Sequence, residues 1–396
     1  MKYIILVPDG MADYPIEELG GKTPLEASHK TNMDFIAQNG QVGVVKTIPE
    51  NIAPGSDVAN LSILGYDPKL YYTGRGPLEA ANLSIDLKDN EIAFRCNLIT
   101  VEEDKLFDYS AGHISTKEAQ VLIKFLDEKL GNEVIRFYSG VSYRHLMVMK
   151  TDNDDILKIK CLPPHDIKGW SIQENLPQGK DSEILIDLMQ KSRELLAQHE
   201  INHVRIDLKE NPANMIWLWG QGRRPNLPKF RDMFQVEGAV ISAVDLIKGL
   251  GKTIGLEVIN VPGVTAYYDT NYKGKAEYAL KALKTNDFVF VHVEATDEAG
   301  HNGDLRMKIT CIERFDSLVV GTILKHMKRY KNFRIMILPD HATPLSLRTH
   351  TSDPVNFCLF GKGISPSGLN FSDRVNPENN FKFNSGHELM EYFMKA

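Results

Sequence analysis

The sequence predicts an α/β fold in which a mostly parallel sheet is flanked by helices and a smaller α+β domain is inserted in the middle of the chain. Short runs of aliphatic and β-branched residues, Tyr3 to Val7, Phe288 to Val293 and Ile335 to Leu338, read as strands buried on both faces. Such runs alternate with helically spaced segments at both ends of the chain, as a parallel sheet with crossover helices requires. Between about Arg75 and Trp219 the texture changes to shorter alternating segments. The expected division is therefore 1–74 with 220–396 for the sheet domain and 75–219 for the insert.

The first strand, Tyr3 to Val7, leads through Asp9-Gly10-Met11 into a polar loop and then a helix near Met33 to Gln38. A second strand, Val42 to Thr47, precedes the loop Glu50 to Ser56. The segment Asp57 to Leu64 has apolar residues at helical spacing and is stopped by Gly65 and Pro68, so Ser56 stands at a helix start. In the insert, Ile92 to Thr100 and His145 to Lys150 alternate, Leu162-Pro163-Pro164-His165 marks a loop, and Ser182 to His199 carries Ile184, Leu185, Leu188, Met189, Leu195 and Leu196 on one helical face. After Gly238 the alternation resumes with Ile254 to Ile259, Ala276 to Leu283, Phe288 to Val293, Ile309 to Tyr330 and Ile335 to Leu338.

At 396 residues the chain is long enough for two domains, and 42% hydrophobic with 25% charged residues is ordinary globular composition. A net charge of −6 argues against a general nucleic-acid or anionic-membrane binder. A small anionic substrate would need a locally basic pocket. The apolar N-terminal stretch is shorter than a signal-peptide core, and no later segment approaches the length that spans a bilayer, so a cytoplasmic location is expected. Cys96, Cys161, Cys311 and Cys358 are scattered, which indicates neither a disulfide framework nor a zinc finger. The oligomeric state is not specified.

Each of the three buried runs ends in metal-type side chains: Asp9 after the first, Glu294 and Asp297 after the second, Asp340 and His341 after the third. Ligands of open α/β sheets gather beyond the carboxyl ends of the strands. Asp297 and His301 are four apart, and with Asp9, Asp340 and His341 they supply three carboxylates and two imidazoles, which with one or two further groups can hold a pair of divalent cations. Taken singly, each has a plainer reading. Asp9 can begin an Asp-Gly turn, Asp297 and His301 can be an exposed helical pair, and His387 in Ser385-Gly386-His387 can simply start a helix.

A serine hydroxyl is a poor nucleophile at neutral pH, and a coordinated divalent cation lowers its pKa. Ser56 follows a glycine at a helix N-terminus, where backbone N–H groups favour an anion. An N-cap role is the simpler alternative.

The stretches Val7-Pro8-Asp9-Gly10-Met11-Ala12-Asp13, Pro54-Gly55-Ser56-Asp57-Val58-Ala59-Asn60-Leu61-Ser62, Tyr72-Thr73-Gly74-Arg75-Gly76-Pro77-Leu78-Glu79-Ala80, Asp297-Glu298-Ala299-Gly300-His301 and Leu338-Pro339-Asp340-His341 resemble the archaeal-type cofactor-independent phosphoglycerate mutases of the alkaline phosphatase superfamily. The resemblance covers essentially the whole chain. It implies a phosphoserine mechanism with two divalent metals and no bisphosphoglycerate. Ser56 would be phosphorylated, with Asp9, Ser56, Asp340 and His341 around one metal and Asp297, His301 and His387 around the other. The serine would take the phosphoryl group of 3-phosphoglycerate and return it to the 2-hydroxyl. Manganese is the first expectation, with magnesium, cobalt or zinc as alternatives.

A retained intermediate must be shielded from water, so the insert is expected to contact the small phosphorylated substrate. Arg95, His113, Arg144, Arg223 and Arg224 are the candidates, with Lys273 or Lys275 reaching in from the sheet domain, and Asp108 and His113 could handle protons on the glycerate hydroxyls. Three other readings compete: a homoserine kinase-like phosphotransferase of the same family, a phosphomonoesterase in which water discharges Ser56, and a non-enzymatic metal-binding protein. Neither Gly21-Lys22-Thr23 nor Gly251-Lys252-Thr253 makes a P-loop, because Ile16 and Leu246 stand where its first glycine is required.

Overall fold

The computed structural model describes residues 1–374 and 381–395. The chain forms two compact units, Met1–Tyr72 with Asn226–Ala396 and Thr73–Pro225.

The larger unit is built on a sheet whose eight described strands run in the order Phe381–Phe383, Gln41–Val45, Val355–Gly361, Phe333–Ile337, Lys2–Pro8, Phe288–Val293, Gly238–Ile241 and Glu257–Val258. Only Val355–Gly361 runs antiparallel to its neighbours. Lys2–Pro8 lies between two parallel partners, with Leu6 opposite Val291 on one side and Ile337 on the other. Past its first residue every position of this strand is buried, which is why its sequence is continuously apolar rather than alternating. Successive side chains still point to opposite faces. Ile4 and Leu6 enter a core with Val289, Val291, Ile335 and the helical residues Met33, Ile36, Ala276, Ile312 and Ile323, whereas Tyr3 meets Phe393 of helix Gly386–Lys395 edge-on at 5.6 Å.

The long helix expected over Ile309 to Tyr330 is instead Leu305–Arg314, a π-helical segment Phe315–Val320 and Gly321–Met327. The π segment carries Asp316, whose Oδ1 accepts the Met33 N–H at 2.7 Å and whose Oδ2 accepts the Asn32 N–H at 3.2 Å. It thereby satisfies two orphan donors at the start of helix Thr31–Gln38.

The smaller unit is α+β. Its antiparallel sheet has the order Lys105–Asp108, Glu91–Glu102, Arg144–Lys150, Ile135–Val141, with Met215–Arg223 also paired to Glu91–Glu102. Helices Thr116–Leu130 and Glu183–Ala197 supply Leu122, Leu126, Leu185, Leu188 and Met189 to a core shared with Phe94, Cys96, Leu98 and Trp217. Ala80 of helix Arg75–Asn82 packs with Ala93, Leu146 and Val148 in a separate cluster. The strand Met215–Arg223 runs through position 219, with Gly222 opposite Ala93, so the polypeptide stays within this unit to Pro225. Among the described residues no helix is long and apolar enough to cross a membrane.

Candidate active site

Three adjacent parallel strands, Lys2–Pro8, Phe288–Val293 and Phe333–Ile337, end side by side, so the residues just beyond them meet. Asp9 is followed by Gly10 in the left-handed region at φ +61°, and a Cβ there would lie 2.5 Å from both Asp297 Oδ1 and Thr343 Oγ1. Only glycine allows the backbone to turn this close to a neighbouring carboxylate. The turn aims the Gly10 N–H at Asp340 Oδ1 (3.1 Å), which also accepts the His341 N–H at 3.0 Å. Asn60, one turn into helix Ser56–Ile63, donates through Nδ2 to both Asp340 Oδ2 and the Ser56 carbonyl, each at 2.8 Å. That link holds the start of the helix against the strand end, and Ser56 Oγ stands 3.2 Å from His341 Nε2.

Asp9, Asp340 and His341 form one buried group whose ligand-type atoms lie within 4.8 Å of one another. His341 Nε2 is 3.5 Å from Asp9 Oδ1 and 3.6 Å from Asp340 Oδ2. Burial pushes the His341 ring down to about 4, so it offers a lone pair at neutral pH. Burial, with Asp340 and Asp297 nearby, holds Asp9 well above the usual carboxylate range. Among the described residues Asp9 Oδ1 has no hydrogen-bond donor, and an orphaned buried carboxylate oxygen facing a ring nitrogen and a second carboxylate could accept a cation.

A second group is Asp297, His301 and His350. Asp297 and His301 share one face of helix Ala295–Asn302, with Asp297 Oδ2 3.2 Å from His301 Nε2. His301 Nδ1 lies 2.9 Å from the Arg348 carbonyl, which requires the proton on that nitrogen and leaves Nε2 as the ligand atom. His301 Nε2 and His350 Nε2 then face each other at 2.9 Å, and His350 Nε2 is 3.4 Å from Asp297 Oδ1. Two imidazoles and a carboxylate converging in this way suit a divalent cation. Thr343 joins the two groups, donating from Oγ1 to Asp297 Oδ1 at 2.5 Å and standing 3.2 Å from His341 Nδ1.

His387 requires correction. The structure gathers His350, not His387, with Asp297 and His301. His387 follows strand Phe381–Phe383 at the start of helix Gly386–Lys395, whose Gly386 N–H donates to Ser62 Oγ at 3.0 Å, and it is not in the group that gathers around Asp297. Its Nε2 lies 3.2 Å from Ser385 Oγ, and the ring lines a surface pocket of about 540 Å³ with Lys46, Lys69 and Lys382. His350 went unread because it follows no apolar strand. It sits in the irregular segment after Asp340-His341, and the polar run Arg348-Thr349-His350-Thr351 carries no periodic signal. Asn60, Thr343 and His292 were likewise missed.

Lys275 is a second correction. Rather than reaching substrate it is fully buried, donating to Glu294 Oε2 at 2.5 Å and to the His292 carbonyl at 2.8 Å. Lys273, on the same helix Tyr272–Ala282, is exposed and 3.7 Å from Glu277.

In the smaller unit Arg95 is buried, its Nε 3.1 Å from Glu79 Oε2 and its guanidinium 4.6 Å from the Trp219 ring. Arg75 approaches the same ring at 5.5 Å and Glu79 Oε1 at 3.4 Å. The Arg144 guanidinium lies 4.3 Å from the Tyr143 ring, and the His113 ring stands 6.1 Å from Tyr143. Arg223 is engaged by Asp154 at 2.7 Å and by the carbonyls of Asp89 and Thr151, and Arg224 by Asp86 at 2.8 Å. Asp108 accepts from Ser110 N and Oγ, Gly112 N and Asn211 Nδ2. Burial works against its charge, but these donors outweigh burial and hold it below the usual carboxylate range.

Comparison with known proteins gives a consistent result. Residues 37–202 match a family model described as 2,3-bisphosphoglycerate-independent phosphoglycerate mutase. The chain is 50% identical over 399 aligned residues to the 2,3-bisphosphoglycerate-independent phosphoglycerate mutase of Methanosarcina barkeri, covering 100% of both chains. It is 52% identical to that of Methanosarcina acetivorans, covering 96% of each. Among solved structures, the PH0037 protein of Pyrococcus horikoshii superposes with a TM-score of 0.82 at 31% identity, covering 99% of this chain and 97% of that one. The cofactor-independent phosphoglycerate mutase of Thermoplasma acidophilum superposes with a TM-score of 0.64 at 26% identity, covering 100% and 99%.

Proposed function

The chain belongs to the 2,3-bisphosphoglycerate-independent phosphoglycerate mutases, which interconvert 3-phosphoglycerate and 2-phosphoglycerate, and we propose that its phosphoryl group passes through Ser56. The observation that carries this reading is the Ser56 hydroxyl at a helix start, 3.2 Å from His341 Nε2, the same nitrogen that stands 3.5 Å from the orphaned oxygen of Asp9.

Enzymes of this family use divalent metals; here Asp9, Ser56, Asp340 and His341 would hold one cation, and Asp297, His301 and His350 the other. When bound, such cations neutralise phosphoryl oxygens and favour the serine alkoxide. Manganese is the metal proposed, with cobalt, zinc and, less well, magnesium also compatible with these mixed carboxylate and imidazole donors. The residues themselves do the rest. Asn60 fixes Ser56 and Asp340 in one frame, and Thr343 ties Asp297 to His341.

In the first half-reaction the bond between phosphorus and the 3-oxygen breaks, a bond from phosphorus to Ser56 Oγ forms, and the serine proton ends on the 3-hydroxyl. In the second half-reaction the glycerate 2-hydroxyl takes the group back and its proton returns to the serine. No bisphosphoglycerate enters this balance. Arg75, Arg95 and Arg144, held on Trp219 and Tyr143, are assigned to the anionic groups of the substrate. We place the reaction in the cytoplasm.

An enolase-coupled assay with 3-phosphoglycerate, added Mn²⁺ and no bisphosphoglycerate tests the reading. Turnover is expected from the parent protein and a loss of at least about 10³-fold from Ser56→Ala. Full turnover by Ser56→Ala, or release of free phosphate faster than 2-phosphoglycerate, would overturn it.

A further inference from the structure

We infer that Lys275, Glu294 and His292 form a buried positioning chain that decides which oxygen of Asp9 is presented to a divalent cation. The inference rests on the proposed two-cation reading of the site and adds residues that touch neither cation nor substrate.

All three side chains are shut off from solvent, at 0%, 3% and 0% exposure. The Lys275 ammonium on helix Tyr272–Ala282 reaches Glu294 Oε2 at 2.5 Å. Glu294 Oε1 accepts from Ser242 Oγ at 2.8 Å and from the Ala243 N–H at 2.7 Å, which fixes the carboxylate from a neighbouring strand end. The same oxygen is 3.4 Å from His292 Nδ1. At the other edge of the ring, His292 Nε2 is 3.3 Å from Asp9 Oδ2 and 3.7 Å from Asp340 Oδ2. The chain thus runs ammonium, carboxylate, imidazole, carboxylate, and it ends on a proposed ligand.

The division of labour on Asp9 is what gives the chain a purpose. Oδ2 faces His292, whereas Oδ1 faces His341 Nε2 at 3.5 Å and finds no donor among the described residues. His292 Nε2, which makes no hydrogen bond among the described residues, therefore stands 3.3 Å from one oxygen and leaves the other to be offered. A carboxylate that can swing presents either oxygen or both, and its order must be supplied at the moment of binding; one anchored through an imidazole on a fixed carboxylate has been ordered in advance. Stability alone does not explain the arrangement. A fully buried ammonium, carboxylate and imidazole lose more hydration than their mutual attraction reliably restores, and apolar side chains of the same volume serve a core at least as well. Lys275 offsets Glu294, Glu294 orients His292, and His292 orients Asp9.

The test uses the full-length protein stripped with a chelator and titrated with Mn²⁺ by calorimetry, with free Mn²⁺ followed by electron paramagnetic resonance. Relative to the parent, His292→Ala is expected to weaken one Mn²⁺ site by about 10–100-fold and leave the other unchanged. Glu294→Gln should weaken the same site by a smaller factor. His292→Gln, whose amide N–H can still reach Asp9 Oδ2, should recover part of the loss, which a merely space-filling histidine would not show. Melting curves in chelator show which variants are folded, and if His292→Ala does not fold, Glu294→Gln carries the test alone. Affinities of the folded variants within twofold of a parent that binds Mn²⁺ would overturn the inference and leave the proposed function standing. A parent that binds no Mn²⁺ would remove both.

Discussion

The two units of the chain arrange their charged side chains in opposite ways. In the larger unit, parallel strands present all their carboxyl ends at one edge, so Asp9 meets Asp297, Asp340 and His341 although it lies nearly 300 or more positions before them. In the smaller unit neighbouring strands run in opposite directions, and charged residues come together only as cross-strand neighbours on a face. Arg95 is registered against Trp219 on one side and Leu146 on the other, which is how its guanidinium comes to lie on the indole. The difference extends to hydrogen bonding. Among the described residues the larger unit leaves a carboxylate oxygen, Asp9 Oδ1, unpaired at the convergence point, whereas in the smaller one Asp108 is saturated, Arg223 and Arg224 close onto Asp154 and Asp86, and the orphaned buried atoms are the nitrogens Arg95 Nε and His145 Nε2. Parallel topology makes a site by convergence, and antiparallel topology makes ion pairs by adjacency.

The sharpest way to break that comparison is at the two histidines. His350→Ala should lower turnover by about 10²-fold or more and remove one Mn²⁺ from the stripped and reloaded protein, because it deletes one of three donors around Asp297. His387→Ala should leave the Mn²⁺ count unchanged. Elemental analysis of both variants checks this, and a loss of metal in His387→Ala would mean that the sheet edge takes part after all.

Next in size is Gly10→Ala. Its left-handed backbone and a Cβ 2.5 Å from Asp297 Oδ1 leave no room for a methyl group. The backbone term alone costs about 1–2 kcal/mol. The steric term must also push Asp297 away from His301 and His350, so turnover should fall with stability, by about tenfold or more. Denaturant melts alongside the coupled assay separate the two effects, and a variant of parental activity would show that the strand ends are not packed as tightly as described.

In the smaller unit the corresponding break is Arg95→Met. Removing one partner of a buried pair leaves Glu79 with Arg75 alone, at 3.4 Å, and the expected loss is about 3 kcal/mol in urea unfolding. Arg95→Met with Glu79→Leu should recover most of it. A single variant as stable as the parent would show that adjacency alone does not hold this unit.

The smallest effect is one of pH. The His145 ring is buried, its Nδ1 accepts the Gly140 N–H at 3.0 Å, and burial pushes it down to about 3. The unfolded ring titrates near 6.5. Its folded pKa is depressed, so its contribution is fully present above pH 6.5 and is lost as pH falls toward 3, because the unfolded chain takes up the proton first. Between pH 6 and 5 the slope from this ring alone should approach about 1.4 kcal/mol per pH unit. His145→Gln should flatten stability against pH across that interval, and identical slopes for parent and variant would refute the assignment.

Much of the architecture was legible in local pattern. The apolar runs Tyr3 to Val7, Phe288 to Val293 and Ile335 to Leu338 announce strands covered on both faces, and the helical spacing after Ser56 announces the helix that carries it. From these follow the parallel sheet, its helices, and the gathering of Asp9, Asp340 and His341 beyond the strand ends. What only the tertiary structure decided is which strand stands beside which. His387 opens the helix that starts on Ser62 and stays outside the group around Asp297, while an irregular segment brings His350 to it. Lys275 turns inward to Glu294 for the same reason. Periodicity and residue type are properties of neighbours along the chain, whereas the partner of a buried charge is chosen by sheet order and helix docking, which no local spacing records.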